Sequence, residues 1–194
     1  LYKQGVRNFV IRTFSEEWNA PDANFLVVKD TLTALQTLAK KHRENFQIPI
    51  VAITGSNGKT IVKEWLNQLL QEDSVITRSP KSYNSQIGVP LSIWQLNKSS
   101  QIGIFEAGIS QTSEMSKLAP IIQPEIGIFT NLGEAHQENF NSLEEKLQEK
   151  LLLFKNSKVL IYKKDVNVER IMQKNNPAVQ LFAWSEKEDA NVKI

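Results

Sequence analysis

Cysteine is absent from the 194 residues, which excludes disulfides, thiolate nucleophiles and cysteine-ligated zinc and suits a reducing, cytoplasmic location. There is no run of about eighteen apolar residues and no charged-then-apolar opening segment, so neither a membrane-spanning helix nor a signal peptide is expected. Charge of either sign scarcely prevails. Twenty-three Lys and Arg against 21 Asp and Glu leave +2, too weak a field to point to nucleic acid or an anionic membrane. Glycine and proline are sparse, at 8 and 7 residues, which excludes a fibrous or disordered chain. What is present is 41% hydrophobic and 23% charged. That is the make-up of a soluble globular chain with one sizeable core, enough for one domain and a fragment of another. The chain opens at Leu1 and closes at Ile194 within a strand-like stretch, 191–194, so a piece of a longer protein is expected.

Short β-branched runs alternate with longer segments of helical period, the pattern of βαβ units on a mostly parallel sheet flanked by helices. The runs are 50–54, 74–77, 102–106, 126–130, 159–162 and 179–183. Asp30 or Thr31 can cap a helix carrying Leu32, Leu35, Leu38, Ala39, His42 and Phe46, which ends before Pro49. A second helix is expected over 60–70 with Ile61, Val62, Trp65, Leu66, Leu69 and Leu70 as a broad buried face, and a third over 142–154. Residues 1–30 hold two short strand-like runs, 9–11 and 25–28, and do not look like a complete domain. Residues 31–48 read as a connector helix, and 49–194 as the main α/β unit.

Directly after the apolar run 50–53 come Thr54, Gly55, Ser56, Asn57, Gly58, Lys59 and Thr60, and then the second helix. Strand, glycine loop and helix together suit phosphate. Glycines let backbone N–H groups turn inward, the helix N-terminus adds partial positive charge, Lys59 neutralises phosphate, and Thr60 offers a hydroxyl to Mg²⁺. The usual G-x-x-x-x-G-K-[ST] pattern asks for glycine where this chain has Ile53; the alternative is an ordinary strand-to-helix turn.

Glu106 ends the run 102–106, on the edge where open α/β sheets bind ligands. It reads either as a metal-binding carboxylate or as a solvated loop residue. His136, six residues beyond the 126–130 run, reads either as a metal or phosphate contact or as a surface histidine, and His42 has no assigned role. Lys150 falls seven residues after Leu143, on the apolar stripe of the third helix. A lysine there either snorkels outward or is held neutral, and a neutral amine can add carbon dioxide to become a metal-binding carbamate.

Taken in order, these residues resemble the Mur ligases, the ATP-dependent enzymes that build the peptide of peptidoglycan. The resemblance rests on Thr54 to Thr60 without the first glycine, Val62-Lys63-Glu64, and Asn84 through Ile87-Gly88-Val89-Pro90. It rests also on Glu106-Ala107-Gly108 and on Thr130-Asn131 through Ala135-His136. The nearest branch joins D-alanyl-D-alanine to UDP-N-acetylmuramoyl-tripeptide, and shares the lead-in Val28-Lys29-Asp30-Thr31.

The resemblance implies a P-loop NTPase-like central domain at 49–194, incomplete at its C-terminal end, preceded at 1–30 by the end of a UDP-substrate domain. It implies a cytoplasmic ligase of cell-wall biogenesis that uses ATP and Mg²⁺, with this piece alone inactive in ligation. It makes Gly55, Ser56, Asn57, Gly58, Lys59 and Thr60 the nucleotide loop, joined by Asn131, with Asn84 near the substrate. Lys59, His136 and Lys150 become catalytic, and Thr60, Glu106, His136 and carbamylated Lys150 the metal set. The chain departs from the family at Ile61, where a second hydroxyl is usual, and at Leu152, where a Glu is common. It departs again at Tyr162 and Lys164, which replace an Asn and an Asp and leave Asp165 alone. The competing readings are another Mur branch, a folylpolyglutamate synthetase-like ligase, and a nucleotide-binding module without catalysis.

Overall fold

The computed structural model describes residues 1–18, 20–133, 137–187 and 189–194. The β-branched runs become strands of one parallel sheet, because a helix between one run and the next carries the chain back to the starting edge. Two strands stand apart, β1 (Asn8–Ile11) and β2 (Asn24–Val27), paired in parallel. The main sheet has seven strands: β3 (Ile50–Thr54), β4 (Ile76–Arg78), β5 (Ile102–Glu106), β6 (Ile126–Phe129), β7 (Val159–Lys163), β8 (Gln180–Ser185) and β9 (Val192–Lys193). Their order is β4-β5-β3-β6-β7-β8-β9. The chain leaves β3 for one edge, returns through β5, and then crosses to β6 on the far side. The C-terminal ends of β5, β3 and β6 therefore lie side by side, at the point where the winding reverses.

Three of the helices follow the sequence pattern. α1 (Thr31–Arg43) is capped by Asp30, whose Oδ1 accepts from Thr33 N at 2.6 Å. α2 (Lys59–Leu70) starts at Gly58. The 142–154 expectation becomes α5 (Leu143–Leu151), capped by Ser142 and ended by a 3-10 turn over Leu152–Phe154. Three further helices escape the pattern: α3 (Gly88–Ile93), α4 (Met115–Ile122) and α6 (Val166–Asn175). α3 is six residues long, too short to display a period, and α4 carries Pro120 inside it, which sequence reasoning reads as a break.

The two sheet faces are covered unequally. The larger core joins Ile50, Ala52 and Phe105 of the sheet to Ala39 of α1, Ile93 of α3, Leu118 of α4, Leu147 of α5 and Met172 of α6. The other face holds Val51, Ile53 and Ile104, with Val62 and Leu66 of α2 packed on them. The expected buried face of α2 needs correction. Ile61, Trp65 and Leu69 are exposed, and Lys63 and Asn67 are buried in their place. The rotation is set by polar anchors at the helix start, where Thr60 and Lys63 both reach Glu106. Leu143 is likewise exposed, and the inward stripe of α5 runs through Lys146, Leu147, Lys150 and Leu151.

Candidate nucleotide and metal site

The loop between β3 and α2 needs its glycines. Gly55 has φ 148°, and a Cβ there would lie 1.9 Å from Thr130 Oγ1; Gly58 has φ 81°. Both are backbone conformations that side chains resist. The end of β6 braces the loop. Ser56 N donates to Asn131 O at 2.9 Å and Asn57 N to Asn131 Oδ1 at 3.0 Å. Thr130 Oγ1 donates to Asn57 O at 2.6 Å, and Gly133 N to Ser56 Oγ at 2.8 Å. Asn131 thus holds the loop through both its backbone and its side chain.

Lys59 curls back over the loop, its Nζ donating to Gly55 O at 2.8 Å and Ser56 O at 3.3 Å. Burial lowers its pKa, and the charge of Glu106 opposes that shift. At the neighbouring strand end Glu106 is fully buried and accepts from Thr60 Oγ1 through Oε2 at 3.0 Å. Its Oε1 lies 3.0 Å from Lys63 Nζ, an ion pair without hydrogen-bond alignment. Among the described residues, then, no hydrogen bond reaches this buried oxygen.

Lys150 comes to the same loop from α5. It is 3% exposed, and its Nζ donates to Gly55 O at 3.3 Å, the carbonyl that Lys59 also uses. Its pKa is lowered to about 8, chiefly by burial and further by the charges of Lys59 and Lys146. Snorkelling is excluded, and a neutral amine is accessible near neutral pH. Lys146 is buried as well, its Nζ donating to Gly133 O at 2.6 Å.

A cavity of about 400 Å³ opens beside the loop. Gly55, Ser56, Lys59 and Lys150 line one side, and Asn84, Gln86, Gly108 and Glu114 the other. Asn84 is fixed there by its backbone, whose carbonyl accepts from Gly108 N at 2.8 Å.

The structure therefore brings Gly55 to Thr60, Glu106, Asn131 and Lys150 to one edge and Asn84 to the cavity they border. His136 lies outside the described residues. Asp165 sits at the start of α6, where its Oδ1 caps Asn167 N at 2.8 Å. Tyr162 is buried and donates to Glu169 Oε1 at 2.8 Å; burial raises its pKa, and the hydrogen bond adds to the shift. Sequence reasoning gave no role to Lys63. The available signal was its spacing: four residues after Lys59 it shares a helical face with the lysine of the glycine loop.

A hard cation such as Mg²⁺ wants oxygen ligands and is usually held by one or two carboxylates together with substrate phosphates and water. The Thr60 hydroxyl beside the buried, incompletely satisfied Glu106 carboxylate fits that requirement. Among the described residues no group of three or more His, Cys, Asp or Glu gathers to hold a metal.

The sequence matches the Mur ligase middle domain family over residues 53–194. A UDP-N-acetylmuramoyl-tripeptide--D-alanyl-D-alanine ligase of Rickettsia prowazekii (strain Madrid E) is 38% identical over 131 residues, 68% of this chain and 29% of the relative. The fold is similar to that of MurF from Acinetobacter baumannii, with a TM-score of 0.82 and 26% identity over 92% of this chain and 39% of that one. It is similar also to MurF ligase from Thermotoga maritima in complex with ADP, with a TM-score of 0.78 and 25% identity over 92% and 41% of the two chains. The chain spans 29%, 39% and 41% of these three proteins.

Proposed function

This chain belongs to the Mur ligase family, and we propose that it carries the ATP-binding, phosphoryl-transferring part of a ligase that joins D-alanyl-D-alanine to UDP-N-acetylmuramoyl-tripeptide. The observation that carries the reading is the side-by-side placement of a glycine loop with its lysine, a buried carboxylate and a buried lysine of lowered pKa at the ends of β3 and β5 and on α5. The relatives' printed activities support it, and the solved ADP complex of a similar chain supports the nucleotide.

In this reading Gly55 to Thr60 hold the phosphates of ATP, with loop N–H groups and the α2 N-terminus turned to them. The tripeptide's terminal carboxylate attacks the γ-phosphorus, the bond to the β-phosphate oxygen breaks, and an acyl phosphate and ADP result. The amine of D-alanyl-D-alanine then attacks the acyl carbon; phosphate leaves, and the amine loses a proton. Transfer between anions asks for charge neutralisation more than for a protein nucleophile. Lys59 supplies it once phosphate takes the place of the Gly55 and Ser56 carbonyls on its ammonium group. Mg²⁺, when bound, screens the phosphate oxygens, and Thr60 and Glu106 are the described residues placed to hold it. His136 and carbamylated Lys150 complete the metal set in the same reading, and Asn84 lies near the substrate on the far side of the cavity.

Residues 1–30 belong in this reading to the preceding UDP-substrate domain, 31–48 to a connector and 49–194 to the central domain. Among the described residues no helix is long and apolar enough to cross a membrane, and a cytoplasmic setting follows from the proposed ATP and nucleotide-linked substrates. The test is Lys59→Ala in the intact protein. ADP and phosphate release that depends on both the tripeptide carboxylate and the D-alanyl-D-alanine amine is expected to fall about a hundred- to a thousandfold, and near-normal turnover would sink the assignment.

A further inference from the structure

The cavity beside the glycine loop carries charge of opposite sign on its two sides. Lys59 and Lys150 stand on the loop side, and across from them Glu114 is the one acidic residue among those lining it. Glu114 is half-buried at the start of α4. Its Oε2 accepts from Ser110 N at 2.6 Å, from Gln111 N at 3.1 Å and from Ser110 Oγ at 3.2 Å. None of these donors uses Oε1. The turn over 110–114 therefore fixes the carboxylate by one oxygen and leaves the other for a group outside the turn. The same wall is held from a second direction. Gln86 Nε2 donates to Glu114 O at 3.1 Å and Gln36 Nε2 to Gln86 Oε1 at 2.9 Å, so α1, the segment bearing Asn84 and the start of α4 meet here.

The proposed ligation brings a cation into this cavity. A free α-amino group has a pKa of about 8, so the amine of the dipeptide enters largely as ammonium near neutral pH. The side with Lys59 and Lys150 repels it, whereas a carboxylate oxygen is a charge-assisted acceptor for its N–H groups. The nitrogen must also shed a proton as it attacks, and a lysine in its charged form cannot take one.

We propose that Glu114 receives the incoming amine: Oε1 holds its ammonium group and then accepts the proton that the nitrogen loses as the carbon–nitrogen bond forms. The proposal rests on the ligase reading and adds a catalytic residue to its second step. The ammonium group first gives one proton to solvent. The neutral nitrogen attacks the acyl carbon, its next proton passes to Glu114, and the carbon–oxygen bond to phosphate breaks. Glu114 hands that proton to the departing phosphate and is a carboxylate again.

The intact protein, given ATP, UDP-N-acetylmuramoyl-tripeptide and a mixture of D-alanyl-D-alanine and hydroxylamine at neutral pH, tests it. Hydroxylamine attacks the same acyl phosphate as an uncharged nucleophile and brings no ammonium group for Glu114 to hold. Glu114→Gln keeps an acceptor for Ser110 and Gln111 and removes the charge. It is expected to lower the ratio of peptide product to hydroxamate about a hundredfold. An unchanged ratio overturns the proposal, whether both products fall together or neither does. A second measurement needs no variant. In the wild type, an analogue of the dipeptide with hydroxyl in place of ammonium is expected to bind at least about tenfold more weakly than the dipeptide itself, and equal binding overturns the proposal. Failure of the wild type to form any hydroxamate would overturn the ligase reading and this proposal with it, an outcome distinct from an unchanged ratio.

Discussion

Lys150 concentrates the chemistry of a single side chain. In the unfolded chain it titrates at its ordinary value, and in the fold at about 8. Below pH 8 both states carry the charge, and the folded state bears the full cost of burying it. Between pH 8 and 10.5 the folded state releases its proton first, so stability rises with pH across that window and levels off above it. The cost is at most about 3 kcal/mol. In carbon dioxide-free buffer, Lys150→Met is expected to be more stable than the wild type at pH 7, with the gap closing by pH 10. A constant gap in denaturation midpoints over that range would show that the lysine is not buried as a free amine. The same neutral amine is what carbon dioxide needs, so the burial that weakens the fold also favours the form that the proposed carbamylation requires.

At the scale of elements, α2 shows polar anchoring overriding apolar pattern. A helix with Ile61, Trp65 and Leu69 on one side would ordinarily turn them inward. Its first turn is tied instead to Glu106, and those three side chains stand 57%, 63% and 73% exposed. Trp65→Gln is therefore expected to change stability by about 0.5 kcal/mol or less, whereas Phe105→Ala on the buried strand beneath should cost about 3–5 kcal/mol. Urea denaturation midpoints compare the two directly, and a large loss at Trp65 would return that face to the core. α5 makes the reverse compromise, turning Lys146 and Lys150 inward with Leu147 and Leu151 while Leu143 faces water. Each helix gives up apolar burial to bring lysines to the C-terminal edge of the sheet, Lys63 to Glu106 at the end of β5, Lys146 to Gly133 after β6 and Lys150 to Gly55 after β3.

Across the whole molecule, the seven-stranded sheet carries the buried core and the β1–β2 pair is an appendage. Among the described residues 1–30 none is buried. The appendage's ring cluster of Phe9, Phe14, Trp18 and Phe25 packs on itself, with Phe25 5.3 Å from Phe9 and 5.2 Å from Phe14 between centroids. Removing residues 1–28, which leaves the Asp30 cap of α1 in place, is expected to lower the melting temperature by no more than about 4 °C. A collapse of the calorimetric transition would make the pair part of the main core. The same scale explains why the site exists: parallel strands put every loop that follows them on one edge, and the order β5-β3-β6 makes three of those loops neighbours.

Local chemistry was enough to read the parallel α/β class, the strands at 50–54 and 102–106, the glycine loop, the position of Glu106 at a strand end and that of Lys150 on the inward stripe of its helix. Each is written in a contiguous run or a spacing along one element. Tertiary packing alone decided that Asn131 braces the loop, that Asn84 sits against Gly108, that α2 turns its tryptophan outward, and that Lys63 faces Glu106. These depend on residues tens of positions apart being brought within 3 Å, and no periodicity encodes such a meeting. The rotation of a helix between two competing faces is settled by the strongest buried polar contact, and that contact exists only once the sheet has formed.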